Sequence, residues 1–132
     1  MAEPLIRKVD CVRIPVADLD AALDFYAGKL GHQLKWRSED AAGLAMPEGD
    51  SELVLHLRLK HLEPDLLVES VDEAVSRFVD AGGKLVSGPF EIAIGRAAVV
   101  MDPFGNTLSL LDLSKGLLKT DADGRVIEAN GR

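Results

Sequence analysis

The sequence predicts an α+β fold in which two tandem βαβββ modules build one curved mixed sheet with the helices outside. Three observations carry this expectation. Strand-period and helix-period segments occur in the same order twice, the second run follows the first at an offset of 52 residues, and neither run is long enough to bury a sheet alone. A chain of 132 residues that is 47% apolar suits one domain, residues 1–132. Module one is expected over about 9–60 and module two over about 63–113, with 114–132 as a tail.

The first strand is read from the alternation of Val12, Ile14 and Val16 with Cys11, Arg13 and Pro15, the pattern of a half-buried strand. Asp18 is placed to cap a helix. The apolar side of that helix (Leu19, Ala22, Leu23, Tyr26 and Leu30) keeps the 3.6-residue period and stops near Gly31, while Asp20 suits the positive end of the dipole. Strands are expected at 32–37, 43–46 and 52–59, parted by turn-forming Ser, Asp, Gly and Pro.

The pattern restarts near Asp65. Leu66 and Val68 alternate, Ser70 and Glu73 form a capping box, and Val71, Ala74, Val75 and Phe78 line one side of a second helix that Gly82 and Gly83 end. Strands are expected at 84–87, 92–101 and 107–111, with Asp102-Pro103-Phe104-Gly105-Asn106 as the last turn. The offset of 52 superposes Ile14 on Leu66, Val16 on Val68, Leu19 on Val71, Tyr26 on Phe78 and Gly31 on Gly83. In the tail, Asp123-Gly124 could join 117–120 to 125–127 as a small hairpin, or the terminus could fray.

Composition narrows the partners. A net charge of −7 and a pI near 4.9 count against a nucleic-acid partner, which requires a basic face. No apolar run approaches membrane-spanning length and the opening residues lack the apolar centre of a secretory signal, so a cytoplasmic protein with no membrane partner is expected. Cys11, the single cysteine, excludes an internal disulfide and suits a reducing compartment; it reads either as core filler or as a metal-binding thiolate. Neither a phosphate-binding glycine loop nor a strand-to-helix nucleophile elbow is present.

The run from Val12 to Tyr26, with Lys29-Leu30-Gly31 after it, resembles the opening of vicinal oxygen chelate proteins, the superfamily of glyoxalases, bleomycin-resistance proteins and extradiol dioxygenases. Asp102 to Asn106 resembles their closing hairpin, so the resemblance spans roughly residues 9–112. It implies a cup in which the enzymes hold one divalent metal, using an inward His or Glu from the first and last strand of each module. Carried over residue by residue, the four positions fall on Cys11, His56, Glu63 and Ser109, with His61 an alternative for the third if the loop before Asp65 is bulged.

A neutral serine hydroxyl is a poor ligand, so any metal site would consist of Cys11, His56 and Glu63 with an open position, taking zinc, nickel, manganese or iron. The leading expectation is therefore a small-molecule binding protein of this superfamily without the usual four-ligand metal site and without a cofactor. The alternative is a divalent-metal-dependent lyase, isomerase or dioxygenase. Arg13, His56, Arg58 and Ser109, with Trp36 as a wall, are the expected ligand-binding residues. The resemblance also implies a homodimer.

Overall fold

The computed structural model describes residues 3–116, 118–120, 122–124 and 126–129, with the side chains of 118–120 and 126–129 left aside. Module one contains β1 (Lys8–Pro15), α1 (Leu19–Leu23) continued by a π-helical stretch (Asp24–Lys29), β2 (Gln33–Arg37), β3 (Ala41–Ala45) and β4 (Glu52–His56). Module two contains β5 (Glu63–Leu67), α2 (Val71–Asp80), β6 (Lys84–Ile92), β7 (Gly95–Met101) and β8 (Thr107–Leu111). The eight strands form one curved sheet in the order β2-β3-β4-β1-β5-β8-β7-β6.

That order reads the same from both edges once the modules are exchanged, as a duplication requires. Within each module the first strand runs parallel to the last, β1 with β4 and β5 with β8, and the two first strands meet antiparallel at the centre. Cys11 opposes Asp65 there, and Arg13 opposes Glu63. This register agrees with the offset of 52, which makes Cys11 equivalent to Glu63 and Arg13 equivalent to Asp65.

The helices cover one face. α2 begins at Ser70, whose side chain accepts from the Glu73 N–H, and packs Val71, Ala74 and Val75 onto Leu66, Val68, Ala98, Val100 and Leu110. Asp18 caps α1 by accepting from the Ala21 N–H, and Leu19 joins Ala42, Leu44 and Leu55 in the equivalent core of module one. These two cores fix the helix side of the sheet, leaving the other face to carry Cys11, Arg13, Asp65 and Ser109. Among the described residues no helix is long and apolar enough to cross a membrane.

Several elements differ from the sequence expectation. The first helix is not α-helical throughout: after Leu23 it widens, and the Leu30 N–H reaches back to the Phe25 carbonyl five residues earlier. Wider winding lets the neighbours Tyr26 and Ala27 both face the core and turns Leu30 outward, leaving it 54% exposed instead of packed. The second strand of module two runs from Lys84 to Ile92, past the Gly88-Pro89 pair that reads as a break. It lies at the sheet edge with register shifts against β7, a position where proline removes no needed donor. Strand β4 ends at His56 rather than continuing to residue 59. In the tail, β9 (Leu118–Thr120) and β10 (Val126–Ala129) form a small antiparallel hairpin, and the Gly124 carbonyl accepts from the Arg37 N–H on edge strand β2.

Candidate functional site

The polar centre of the helix-free face lies on the β1–β5 seam, where strand alternation points Cys11 and Arg13 the same way as Glu63 and Asp65. Arg13 donates from Nε to Asp65 Oδ1 at 3.1 Å and from Nη2 to Glu63 Oε1 at 2.6 Å. Cys11 Sγ donates to Asp65 Oδ2 at 3.4 Å. Both Asp65 oxygens are therefore occupied, and the guanidinium spends its Nε/Nη2 edge on its own chain. Among the described residues no hydrogen bond uses Arg13 Nη1, and the Arg13 side chain keeps 23% of its surface.

Burial sets the protonation behaviour. Loss of water raises the Asp65 pKa to about 6, against the opposing pull of the Arg13 charge and the Cys11 hydrogen bond. Burial also drives the Cys11 thiol far up, helped by the Asp65 charge, so Cys11 stays a protonated thiol and not the thiolate that a metal or an electrophile requires. For Arg13, burial works against the charge but the two carboxylates outweigh it, and its pKa rises. His56 is pushed down by partial burial and then by Arg13, which keeps it a neutral imidazole near pH 7; its Nδ1 accepts from the Arg58 N–H at 3.0 Å.

Trp36 lies across β3 on this same face. A Cβ built on Gly43 would stand 2.0 Å from the Trp36 Nε1, so the glycine is what lets the indole lie against the strand. The ring packs with Cys11, Ala41 and Val54, and its Nε1 donates to Glu52 at 2.7 Å. Trp36 is thus part of a small apolar cluster and stays half-buried on the face that carries Arg13. Ser109 is buried next to the cluster, with its Cα partnered to Asp65 across β5 and β8.

The structure brings Cys11, Arg13 and Glu63 together and sets His56, Ser109 and Trp36 on the same face. It does not bring Arg58 there. Because β4 stops at His56, Arg58 sits in the following turn, 75% exposed, bonded to Asp40 at the rim. His61 precedes β5 in an exposed bend. The residue that sequence reasoning missed is Asp65, used there as a landmark for the repeat. Its signal was available: it shares strand parity with Glu63 and is the 52-residue equivalent of Arg13.

The donors do not fit a divalent metal. Cys11 is a thiol spent on Asp65, Glu63 and Asp65 are spent on a guanidinium, and among the described residues no three His, Cys, Asp or Glu side chains stand together as an ion's ligands. Two surface cavities, of about 440 and 220 Å³, lie against α2 and the N-terminal segment, away from this face. They are lined by residues such as Leu5, Arg77 and Phe78 in the larger and Glu3, Ser70 and Glu73 in the smaller.

Comparison with known proteins agrees with this architecture. A protein of Mycolicibacterium smegmatis described as uncharacterized is 33% identical over 106 residues, covering 76% of this chain and 90% of its own. The methylmalonyl-CoA epimerase of Mycobacterium tuberculosis superposes with a TM-score of 0.74 at 22% identity, covering 86% of this chain and 93% of the epimerase. A variant of homoprotocatechuate 2,3-dioxygenase from Brevibacterium fuscum gives 0.64 at 22% identity, with 86% of this chain laid on 34% of that one. At these identities the two structures speak for the fold alone. The sequence model of one family matches residues 8–110, and the chain belongs to that family, the glyoxalase/bleomycin resistance protein/dioxygenase superfamily.

Proposed function

We propose that this chain is a small-molecule binding protein of its superfamily that holds an uncharged, carbonyl-bearing ligand on the Arg13 Nη1 edge, without a metal ion. The observation that supports this reading is the division of labour on the guanidinium: Nε and Nη2 are fixed by Asp65 and Glu63, while Nη1 has no partner among the described residues. An arginine oriented in this way is a preorganised donor for an acceptor oxygen. His56, Ser109 and Trp36 supply further polar and apolar lining.

Charge decides between a neutral and an anionic ligand. With Glu63 and Asp65 both ionised, the cluster carries one positive and two negative groups. The second carboxylate leaves the cluster net negative, which weakens the pull of the guanidinium on an incoming anion. A carbonyl oxygen, being uncharged, is spared that opposition. A metal-dependent lyase, isomerase or dioxygenase reaction is disfavoured by the chemistry of the donors, since the thiol and both carboxylates already serve other partners.

A homodimer is part of the reading. Neither cavity lies on this face, and a ligand held on one open sheet face needs a second surface to bury the fraction usual for a bound small molecule. Thermal shift of the purified protein against ketones, quinones and matched carboxylates tests the ligand class. Stabilisation by a carbonyl compound, lost in Arg13→Met, is expected, whereas stabilisation confined to carboxylates, or unchanged in the variant, would refute it.

A further inference from the structure

We propose that two copies of this chain associate about a two-fold axis through the outer edge of module two, a patch made by Val79, Leu85, Val86 and Phe104. The contact is independent of the ligand reading above and goes beyond it by naming where a second copy sits.

The duplication supplies an internal control. Leu34 on β2 and Leu85 on β6 hold the same place in their modules, each on the helix side of an edge strand and just before a register shift against the next strand. The tail hairpin sits on Leu34: a Cβ built on Gly124 would stand 3.7 Å from the Leu34 Cδ2, and the Gly124 carbonyl accepts from the Arg37 N–H. Leu85 is 42% exposed. The extra residue that follows is Lys35 in module one, paired with Glu52, but Val86 in module two, 53% exposed. The turns before the last strands differ in the same sense, Pro47-Glu48-Gly49 against Pro103-Phe104-Gly105, with Phe104 86% exposed. At all three places module two bares an apolar side chain where module one carries a charge or a cover.

These side chains share one corner of the fold. Val79 lies two turns along α2 from Asp72, which reaches Arg96 on β7 at 3.1 Å, so Val79 stands on the flank of α2 turned towards β6. A Cβ built on Gly82 would be 3.8 Å from the Pro103 Cγ, which places the Phe104 turn beside the end of the same helix. An apolar patch of this kind on a strongly charged chain is the mark of a contact surface.

A second copy fits it. The first half of β6 has an open backbone edge, and antiparallel pairing with the same segment of another copy is the self-complementary solution. Past Ser87 the register shifts, and Pro89 has no N–H to offer, so the pairing stays short. At the opposite edge of the sheet the tail hairpin already caps β2, so the association closes at a pair and does not run on into a fibre. Charge agrees with this. Among the described residues neither Asp80 nor Lys84, which flank the turn after α2, makes an ion pair, so each copy can offer its Lys84 to the other's Asp80.

The test is the mass of the full chain by sedimentation equilibrium over a dilution series. Val86→Lys/Phe104→Glu puts module one's own residue types at the equivalent places in module two, where the fold accommodates them. It is expected to halve the mass wherever the wild type is associated, and each single substitution to weaken association about tenfold. Lys84→Glu should weaken it too, and Lys84→Glu/Asp80→Lys should restore it. Leu62→Ser, which removes an exposed leucine elsewhere, should leave the mass unchanged. If circular dichroism shows that Val86→Lys/Phe104→Glu does not fold, the charge-reversal series decides. Unchanged mass in the folded double variant, or a charge reversal that neither weakens nor restores association, overturns the contact and leaves the ligand reading and its homodimer standing. A wild type that is monomeric throughout overturns the contact and the homodimer together.

Discussion

Arg13 and Asp65 occupy equivalent places in the two modules, 52 residues apart, and bond each other across the seam where the modules meet, Nε to Oδ1 at 3.1 Å. In the antiparallel register the equivalent residues Val12 and Pro64 face each other, and Arg13 and Asp65, one step further along each strand, meet diagonally across the seam. The two equivalent positions carry opposite charges, so the seam is bridged by an ion pair.

The first consequence concerns pH. Asp65 has a folded-state pKa of about 6 against an ordinary value of 3.8, so the fold binds its proton more tightly than the unfolded chain does. Stability from this group is fully present below about pH 4 and is lost as pH rises through 6, by about 3 kcal/mol in total. Urea denaturation of wild type and Asp65→Asn from pH 4 to 7 measures it. The wild type should lose stability relative to the variant as pH rises through this window, and a constant difference would contradict the assignment.

The second concerns coupling. Removing Arg13 leaves two largely buried carboxylates without a counter-charge, and Arg13→Met should cost about 2 to 4 kcal/mol at pH 7. In a double-mutant cycle with Asp65→Asn the two losses should fall short of additive by at least about 1 kcal/mol. Additive losses would mean that the two side chains act separately.

The third concerns Trp36. Gly43→Ala places a methyl group where the indole now lies, 2.0 Å from its Nε1 at the built position, and must lift the ring off β3. As the protein's one tryptophan, Trp36 reports this directly through a red-shifted emission and stronger acrylamide quenching. Unchanged fluorescence would show that the ring does not lie against this strand.

The fourth concerns a carboxylate outside the site. Asp112, just after β8, accepts from the backbone N–H groups of Val71 and Arg96 and from the N–H and hydroxyl of Ser114, tying the start of α2 to the exit of the sheet. Burial opposes its charge, but these donors prevail and its pKa is lowered, so its stabilisation is present at neutral pH and lost as pH falls below the ordinary carboxylate range. Asp112→Ala should cost about 2 to 4 kcal/mol in chemical denaturation, since it leaves buried donors unpaired. A loss below about 0.5 kcal/mol would refute this role.

The sequence made both modules and their offset legible because each is a repeated pattern: the alternation at Val12 to Val16, the cap at Ser70, the stop at Gly83; the register before Asp65 it left open between Glu63 and His61. What escaped it depends on choices made locally against the pattern. The π-helical winding after Leu23 leaves no mark in apolar spacing, and the continuation of β6 through Gly88-Pro89 is possible at an edge where the missing N–H is not required. At the site, strand parity placed Arg13 and Glu63 on one face, but parity does not say where a strand ends, so Arg58 was carried two residues too far. Asp65 was hidden for the opposite reason, because a carboxylate in a short strand next to proline reads as a boundary until its arginine partner is seen.

The most direct test of the account is a crystal structure of the wild-type protein grown with excess zinc and no chelator. The account predicts the Arg13 guanidinium lodged between Glu63 and Asp65, with no ion on Cys11, His56 or Glu63. An ordered zinc bound to those residues, with Arg13 swung out of the seam, would contradict it.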